Sequence, residues 1–310
     1  MSPQLLITGA NGFTGQHACK HFTDLGYDII ATTRNKTLIG DKNVKIVQCE
    51  LTNKNEVNVL IKKVKPDFLL HLAGQNHTAN SWRDPISTLE ANMLSTAYLI
   101  DAIRQEQPYC KMLIVGSALQ FDPTNFSTLL HPYSLSKTLQ VQVAQAWQTL
   151  YKLNIVVAKP SNLIGPGPSN GVISIFASNI AEMEKKRLED VLTVNNLNTR
   201  RDFLDVRDAV CAYEIILNKG ESGEVYEVNS GKSHSLGEII QKYKKLTTVD
   251  FKVKSLSNDE DEQFKEVDPL KLLQLDWRSK FSIDTSLKDT LSYFRYHVNV
   301  NETLKRNLKS

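Results

Sequence analysis

Through much of the chain, short apolar runs alternate with stretches of helical length, and few folds accommodate that alternation. Leu5-Leu6-Ile7-Thr8, Asp28-Ile29-Ile30-Ala31, Val44-Lys45-Ile46-Val47, Phe68-Leu69-Leu70-His71-Leu72, Met112-Leu113-Ile114-Val115 and Ile155-Val156-Val157-Ala158 are each short and apolar or β-branched. Between them lie Asn53 to Val64, Ile86 to Gln105 and Tyr133 to Tyr151, each long enough for a helix. Short buried strands separated by helices read as βαβ units, hence a parallel sheet covered on both faces. Right-handed crossovers then put ligands at the carboxyl ends of the strands, where the strand order reverses. The fold class expected is α/β, a doubly wound parallel sheet.

Thr8-Gly9-Ala10-Asn11-Gly12-Phe13-Thr14-Gly15 follows the first strand and opens a helix. Glycines at 9, 12 and 15 permit a tight turn, close approach of backbone to a pyrophosphate, and close packing of helix on strand. The positive helix terminus and its exposed N–H groups, those of Asn11 and Phe13 among them, supply an anion site. A glycine turn without a ligand is the plain alternative, but the place in the first βα turn favours a dinucleotide. That makes the sheet Rossmann-type. At the end of the second strand, Thr32-Thr33-Arg34-Asn35-Lys36 offers no carboxylate for a ribose 2′-hydroxyl. Arg34, with Lys36 or Thr33, can instead receive a 2′-phosphate, so NADP(H) is expected and NAD(H) is the alternative. As solvated loop cations these residues would have no such role. Glu50, after the third strand, either touches the adenine or neighbours a helix cap at Thr52.

After Pro160 the pattern loosens into a turn-rich loop at residues 161–171, with one further sheet-like run at Glu224 to Val228. The expected division is a dinucleotide-binding domain at 1–160 with a return segment at 203–219, and a smaller C-terminal substrate-binding lobe at 161–202 and 220–310. The acidic run Asp259 to Glu262 reads as a solvated loop. With 41% hydrophobic and 23% charged residues, disorder, collagen and coiled coil are excluded. A net charge of +3 gives no reason to expect nucleic acid or an anionic membrane. No apolar run approaches the ~18 residues of a membrane span, and no basic export signal precedes Gln4. The four cysteines, Cys19, Cys49, Cys110 and Cys211, stand far apart, so no disulfide frame and no metal site are expected.

Tyr133-Ser134-Leu135-Ser136-Lys137 sets a tyrosine and a lysine at i and i+4 on one helix face. A phenol with a pKa near ~10 is a poor acid–base group at neutral pH. A nearby ammonium is expected to lower that value and let Tyr133 exchange a proton with a substrate oxygen. Ser117, after the fifth strand, belongs to the same cleft and can hydrogen-bond the reacting oxygen, although a serine there is also an ordinary turn residue. Their convergence at strand ends above one glycine turn points to a site.

The glycine turn, His71-Leu72-Ala73-Gly74, Ala91-Asn92, Ser117 and Tyr133 with Lys137 occur in the order of a known family. From Leu5 to about Arg295 the chain resembles the extended short-chain dehydrogenase/reductases of the nucleotide-sugar epimerase/dehydratase superfamily. Gly74-Gln75 with Ser81-Trp82, residues 162–167, and Arg201 to Asp208 narrow the resemblance to the GDP-4-keto-6-deoxy-D-mannose reductases. The resemblance implies that Ser117, Tyr133 and Lys137 are catalytic, and that Asn92 supports the lysine through backbone or water contacts. It places Gly9, Asn11, Gly12, Phe13, Gly15, Arg34, Glu50, Leu51, Leu72, Ala73, Gly74 and Asn92 around the dinucleotide. Gln75, Ser81 and Asn162 would face the sugar or its phosphate, and Arg201 the diphosphate. Otherwise Asn162 is a turn residue and Arg201 an ion pair with Asp202 or Asp205. A cytoplasmic homodimer with a small-molecule nucleotide-sugar substrate is also implied.

Two departures matter. Many relatives carry a glutamate where this chain has Leu119, and leucine can neither abstract nor donate a proton. Leu256 to Glu266 is acidic and lacks the second diphosphate arginine of many relatives, and Phe121-Asp122 replaces the usual tyrosine-glycine. The expected activity is NADPH-dependent reduction of the C4 ketone of a nucleotide-linked 4-keto-6-deoxyhexose. Rivals are a nucleotide-sugar 4-epimerase or dehydratase, and, from another class, a non-catalytic dinucleotide sensor.

Overall fold

The computed structural model describes residues 2–34, 43–186, 190–257 and 266–307, with side chains through residue 298. Its strands are β1 (Gln4–Thr8), β2 (Asp28–Thr33), β3 (Lys45–Gln48), β4 (Phe68–His71), β5 (Lys111–Val115), β6 (Ile155–Pro160), β7 (Asn162–Ile164), β8 (Val191–Asn196), β9 (Arg200–Asp205), β10 (Val225–Val228), β11 (Ser233–Ser235) and β12 (Lys252–Ser257). The chain packs as two units. One comprises Met1–Pro160, Val210–Val228 and Leu270–Trp277; the other comprises Ser161–Ala209, Asn229–Pro269 and Arg278–Ser310.

The first unit is built on a seven-stranded sheet in the order β10-β6-β5-β4-β1-β2-β3. Every pairing in it is parallel. From β1 the chain winds outward through β2 to β3; from β4 it winds the other way through β5 and β6. The order therefore reverses between β1 and β4, where Thr8 and His71 lie in register at the carboxyl ends. Consecutive burial of Leu5, Leu6 and Ile7 explains why these strands read as unbroken apolar runs. A core of Leu6, Ile61, Leu69, Leu99, Ile103, Met112 and Ile155 joins the sheet to the helices on one face. The helix Lys54–Val64 begins where the side chain of Asn53 accepts from the N–H groups of Asn55 and Glu56, and stops at left-handed Lys65.

Two expectations are corrected here. Residues 224–228 do not belong to a lobe: Val225–Val228 adds to β6 as the seventh strand, so of the expected return segment 203–219 only 210–219 groups with the sheet, joined by 220–228 and 270–277. The single helix expected from Ile86 to Gln105 is interrupted. Pro85–Leu89 passes into a π-helical turn, Glu90–Leu94, before Ser95–Glu106 resumes as α-helix. A π turn leaves carbonyls without their usual partners. Here the hydroxyls of Ser95 and Thr96 donate to the carbonyls of Ala91 and Asn92, both at 2.7 Å.

In the second unit β11, β9 and β7 form one sheet, and β12 pairs with β8. Ile173, Phe176, Leu192, Phe203, Ile239, Tyr243 and Leu287 make its core. Three carboxylates at a spacing of three act as loop clamps. Asp202 accepts from Ser161 Oγ and from Ser230 N and Oγ; Asp205 accepts from Arg207 and Ser286 Oγ; Asp208 accepts from the N–H groups of Lys280 and Phe281. Lys36 and the run Asp259 to Glu262 lie outside the described residues, as does most of the stretch Leu256 to Glu266. None of the four cysteines forms a disulfide. Among the described residues no helix is long and apolar enough to cross a membrane, and no His/Cys/Asp/Glu cluster could hold a metal.

Candidate active site

The glycine turn sits at the reversal point of the sheet. Gly9 has φ +70°, and a Cβ there would lie 2.7 Å from the backbone nitrogen of Ala73. A Cβ on Gly15 would lie 2.2 Å from the carbonyl oxygen of Gly9, so this glycine lets the helix Phe13–Asp24 press on the strand end. Gly12 caps that helix with no side chain across its first turn and no acid within it. Gln16 Nε2 donates to the carbonyl of Asn11 at 3.0 Å and braces the turn. A backbone cradle that a Cβ would fill, at a helix terminus left open by side chains, fits the pyrophosphate of a dinucleotide.

The neighbouring residues divide. Arg34 is exposed after β2, where its carbonyl accepts from Gln48 Nε2 at 2.9 Å, and Thr33 is buried. The Glu50 carboxylate accepts from the N–H and hydroxyl of Thr52 at 3.2 and 3.0 Å, and Leu51 is buried. Leu72 N donates to the carbonyl of Thr8 at 3.3 Å, and Ala73 N to the Thr8 hydroxyl at 3.2 Å. Asn92, fully buried in the π turn, accepts from Gln75 N at 2.7 Å and donates to the Gln75 carbonyl at 3.0 Å and Ser136 Oγ at 2.8 Å. A Cβ on Gly74 would come within 2.6 Å of its Oδ1. The Asn92 carboxamide thus fastens the Gln75 segment to the helix that carries Tyr133. Gln75 folds its own side chain over His77, and Ser81, buried, donates to the carbonyl of Thr78.

In the sequence His71 stands only as part of the motif His71-Leu72-Ala73-Gly74; the structure gives it a defined state. Thr96 Oγ1 donates to the Asn92 carbonyl, so its one proton is used and it must accept from His71 Nε2, 2.8 Å away. On the other side Thr8 Oγ1 accepts from Ala73 N and lies 2.7 Å from His71 Nδ1, to which it donates because burial keeps the ring neutral with its one proton on Nε2. The imidazole is therefore the neutral Nε2–H tautomer. Burial, with the Lys137 charge as a second cause, pushes its pKa down to about 3. Sequence alone carried no signal for this, because the partners come from β1, the π turn and its following helix.

The reacting side chains gather beyond β5. The helix Pro132–Tyr151 presents Tyr133 and Lys137, each only 7% exposed, and Ser117 is 8% exposed. Ser117 Oγ accepts from Leu119 N at 3.1 Å, leaving its proton to donate. Gln120 Nε2 donates to the Lys137 carbonyl, and Phe121 N to Thr138 Oγ1, both at 3.0 Å. These bonds fix the register of the Ser117 loop on the helix. Phe121 is buried, Asp122 turns outward onto Thr124, and Leu119 is 39% exposed.

One expectation fails. The i and i+4 spacing predicts that Lys137 lowers the pKa of Tyr133, but burial raises it, and the hydrogen bond from Ser117 lowers it by less. The Lys137 amine donates to the Val115 carbonyl at 2.7 Å, and its own pKa falls by burial to about 7. Desolvation outweighs attraction between the two groups.

Asn162 and Arg201 belong to the second unit. Asn162 Nδ2 donates to the Asp202 carbonyl at 3.0 Å, and Arg201 NH1 to the Arg200 carbonyl at 2.6 Å.

The sequence profile of the NAD dependent epimerase/dehydratase family matches residues 5–229. A GDP-6-deoxy-D-mannose reductase of Pseudomonas aeruginosa is 28% identical over 266 residues, spanning 82% of this chain and 83% of that protein. The dTDP-D-glucose 4,6-dehydratase of Homo sapiens is 26% identical over 323 residues, 94% of this chain and 90% of that one. Among solved structures, RMD from Pseudomonas aeruginosa complexed with NADPH aligns with TM-score 0.80 at 26% identity, covering 96% of this chain and 99% of that one. UDP-glucose 4-epimerase of Thermus thermophilus, in complex with NAD, aligns with TM-score 0.81 over 94% and 99% of the two chains, a likeness of fold at 23% identity. Matched by that profile over well more than half of its length, the chain belongs to the NAD dependent epimerase/dehydratase family.

Proposed function

We propose that the protein is an NADPH-dependent reductase of the C4 ketone of a nucleotide-linked 4-keto-6-deoxyhexose. The observation that carries this reading is what stands beside the phenol. Burial holds Tyr133 protonated across the neutral range, with the Ser117 hydroxyl beside it, and Leu119 stands where an acid for dehydration would be needed. The dinucleotide, when bound, supplies the hydride that the ketone carbon receives. Tyr133 Oη gives its proton to the ketone oxygen. Ser117 holds that oxygen through the hydroxyl proton it otherwise turns to Tyr133, and Lys137, half protonated near neutrality, stands ready to refill the phenol.

Gly9, Asn11, Gly12, Phe13 and Gly15 would hold the pyrophosphate, Leu72, Ala73 and Gly74 the middle of the cofactor, and Arg34 its 2′-phosphate. Glu50 and Leu51 would lie at the adenine. Gln75, Ser81, Asn162 and Arg201 would bind the sugar nucleotide, in a homodimer. A GDP-6-deoxy-D-mannose reductase among the relatives supports the choice of substrate class.

The test is absorbance at the nicotinamide band with a panel of nucleotide-linked keto sugars. Stoichiometric loss of NADPH is expected, and Tyr133→Phe should bind NADPH normally while losing at least ~100-fold in turnover. Conversion of a sugar without net NADPH loss would mark an epimerase, and equal turnover by Tyr133→Phe would remove the phenol from the chemistry.

A further inference from the structure

We propose that His131 is a positioning residue for Tyr133, its neutral imidazole capping the first turn of the helix that carries the phenol and releasing that turn when protonated. The inference rests on Tyr133 as the proton donor of the proposed reduction.

Helix N-caps are ordinarily Ser, Thr, Asp or Asn, whose oxygen accepts from the N–H two or three residues on. Here the cap of Pro132–Tyr151 is His131, in extended conformation at φ −163° and ψ 159°. Its Nδ1 accepts from Ser134 N at 2.9 Å, and that N–H is shared with the His131 carbonyl at 3.0 Å. Its carbonyl accepts from the Ser134 hydroxyl at 2.8 Å. No acidic residue lies in the first turn, so the imidazole nitrogen is the side-chain acceptor at this terminus. Pro132 at the first position has no N–H to offer. Tyr133 follows directly, between the proline and the capped residue, and the rings of His131 and Tyr133 lie 5.8 Å apart at 42°. A shift of the cap therefore moves the phenol.

An acceptor nitrogen must lack a proton, so the neutral ring is the Nε2–H tautomer. Protonation would set an N–H against the Ser134 N–H and a cation against the positive end of the helix, and both effects oppose the cap. An asparagine or serine cap would hold the turn without this dependence. Titratable or charged groups on the elements around it are Tyr133, Lys137 and Tyr151 on the same helix, Arg83 at the end of Thr78–Arg83, Asp84 at the cap of Pro85–Leu89, and Glu90 in the π turn. Tyr98, Asp101, Arg104 and Glu106 on Ser95–Glu106, and Lys159 on β6, complete the set. None of their charges contributes to the shift of His131, whose pKa is lowered by burial and raised less by its own backbone carbonyl.

The experiment compares wild type, His131→Asn and His131→Ala with NADPH and the keto sugar from pH 5.5 to 8.5. His131→Asn should match wild-type kcat at pH 8 and keep it at pH 5.5, where wild type falls about twofold to fivefold. His131→Ala should lose about fivefold to tenfold in kcat at every pH, with KM within twofold of wild type. In parallel, 15N-resolved imidazole spectra of the free protein should show His131 unprotonated at Nδ1 at pH 8, with exchange of the Ser134 amide accelerating as that nitrogen titrates. An acid limb unchanged in His131→Asn, full activity in His131→Ala, or a proton on Nδ1 at pH 8 overturns the proposal. If wild type reduces no keto sugar, the reductase reading fails, and the imidazole spectra and amide exchange alone decide the cap.

Discussion

Acidification should expose His71 as a latent weakness of the sheet. Its folded pKa, about 3, lies well below the 6.5 of an unfolded histidine. A depressed pKa stabilises the fold above the unfolded value and loses that contribution as pH falls toward the folded value, here from 6.5 to about 3. Each unit corresponds to ~1.36 kcal/mol, so the full contribution is roughly 5 kcal/mol, of which about 2 kcal/mol is gone by pH 5. The control is His71→Gln, whose amide can donate to Thr96 but cannot titrate. It should be less stable at pH 7.5 by about 1–3 kcal/mol for the bond lost at Thr8. Between pH 7.5 and 5, urea unfolding should then show wild type losing about 2 kcal/mol more than the variant. Equal losses within ~0.5 kcal/mol would refute the buried neutral histidine. A proton on Nδ1 in the 15N spectrum at pH 7 would refute the tautomer.

Three further substitutions read other parts of the unit. Gly15→Ala forces a Cβ to 2.2 Å from the Gly9 carbonyl oxygen, whereas Gly26→Ala, at φ +84°, meets nothing within 4 Å. Gly26→Ala should therefore destabilise by only about 1–2 kcal/mol, while Gly15→Ala should unfold at clearly lower urea and weaken NADPH binding more than ~10-fold by fluorescence titration. Lys137→Met removes an amine whose burial lowers its pKa to about 7. It should abolish turnover yet raise stability at pH 7 by roughly 2 kcal/mol, the gain shrinking as pH rises toward 10, where the unfolded chain also loses its proton. A variant less stable than wild type at pH 7 would contradict the desolvation account.

The sheet was legible because its strands are buried on both faces: Leu5 to Thr8 and Phe68 to His71 carry no polar alternation, and a run of that length has few other homes. The return strand Val225–Val228 was less so, because its contribution depends on pairing with β6 across a long sequence separation. Periodicity also gave no sign of the π turn. The hydroxyls that satisfy its carbonyls, Ser95 and Thr96 bonding backward, are letters equally at home in a surface helix. At the site, Ser117, Tyr133 and Lys137 were legible as residue types, and the glycines as a cradle. His71 and His131 were not, because a histidine's role is set by which nitrogen meets which partner, and the partners of His71 are supplied by distant elements.

The failed expectation about Tyr133 bears most directly on chemistry. Spacing of i and i+4 places a phenol and an ammonium on one face, and from that alone attraction should favour the phenolate. In the folded chain the Lys137 amine is spent on the Val115 carbonyl and itself titrates near 7, so it offers the phenol little steady positive charge. Burial then decides both groups in the same sense, toward the neutral form. A neutral phenol is an acid rather than a base. Proton donation by Tyr133 therefore starts from the form that burial favours, whereas proton acceptance would first require Tyr133 to lose the proton that burial makes it keep.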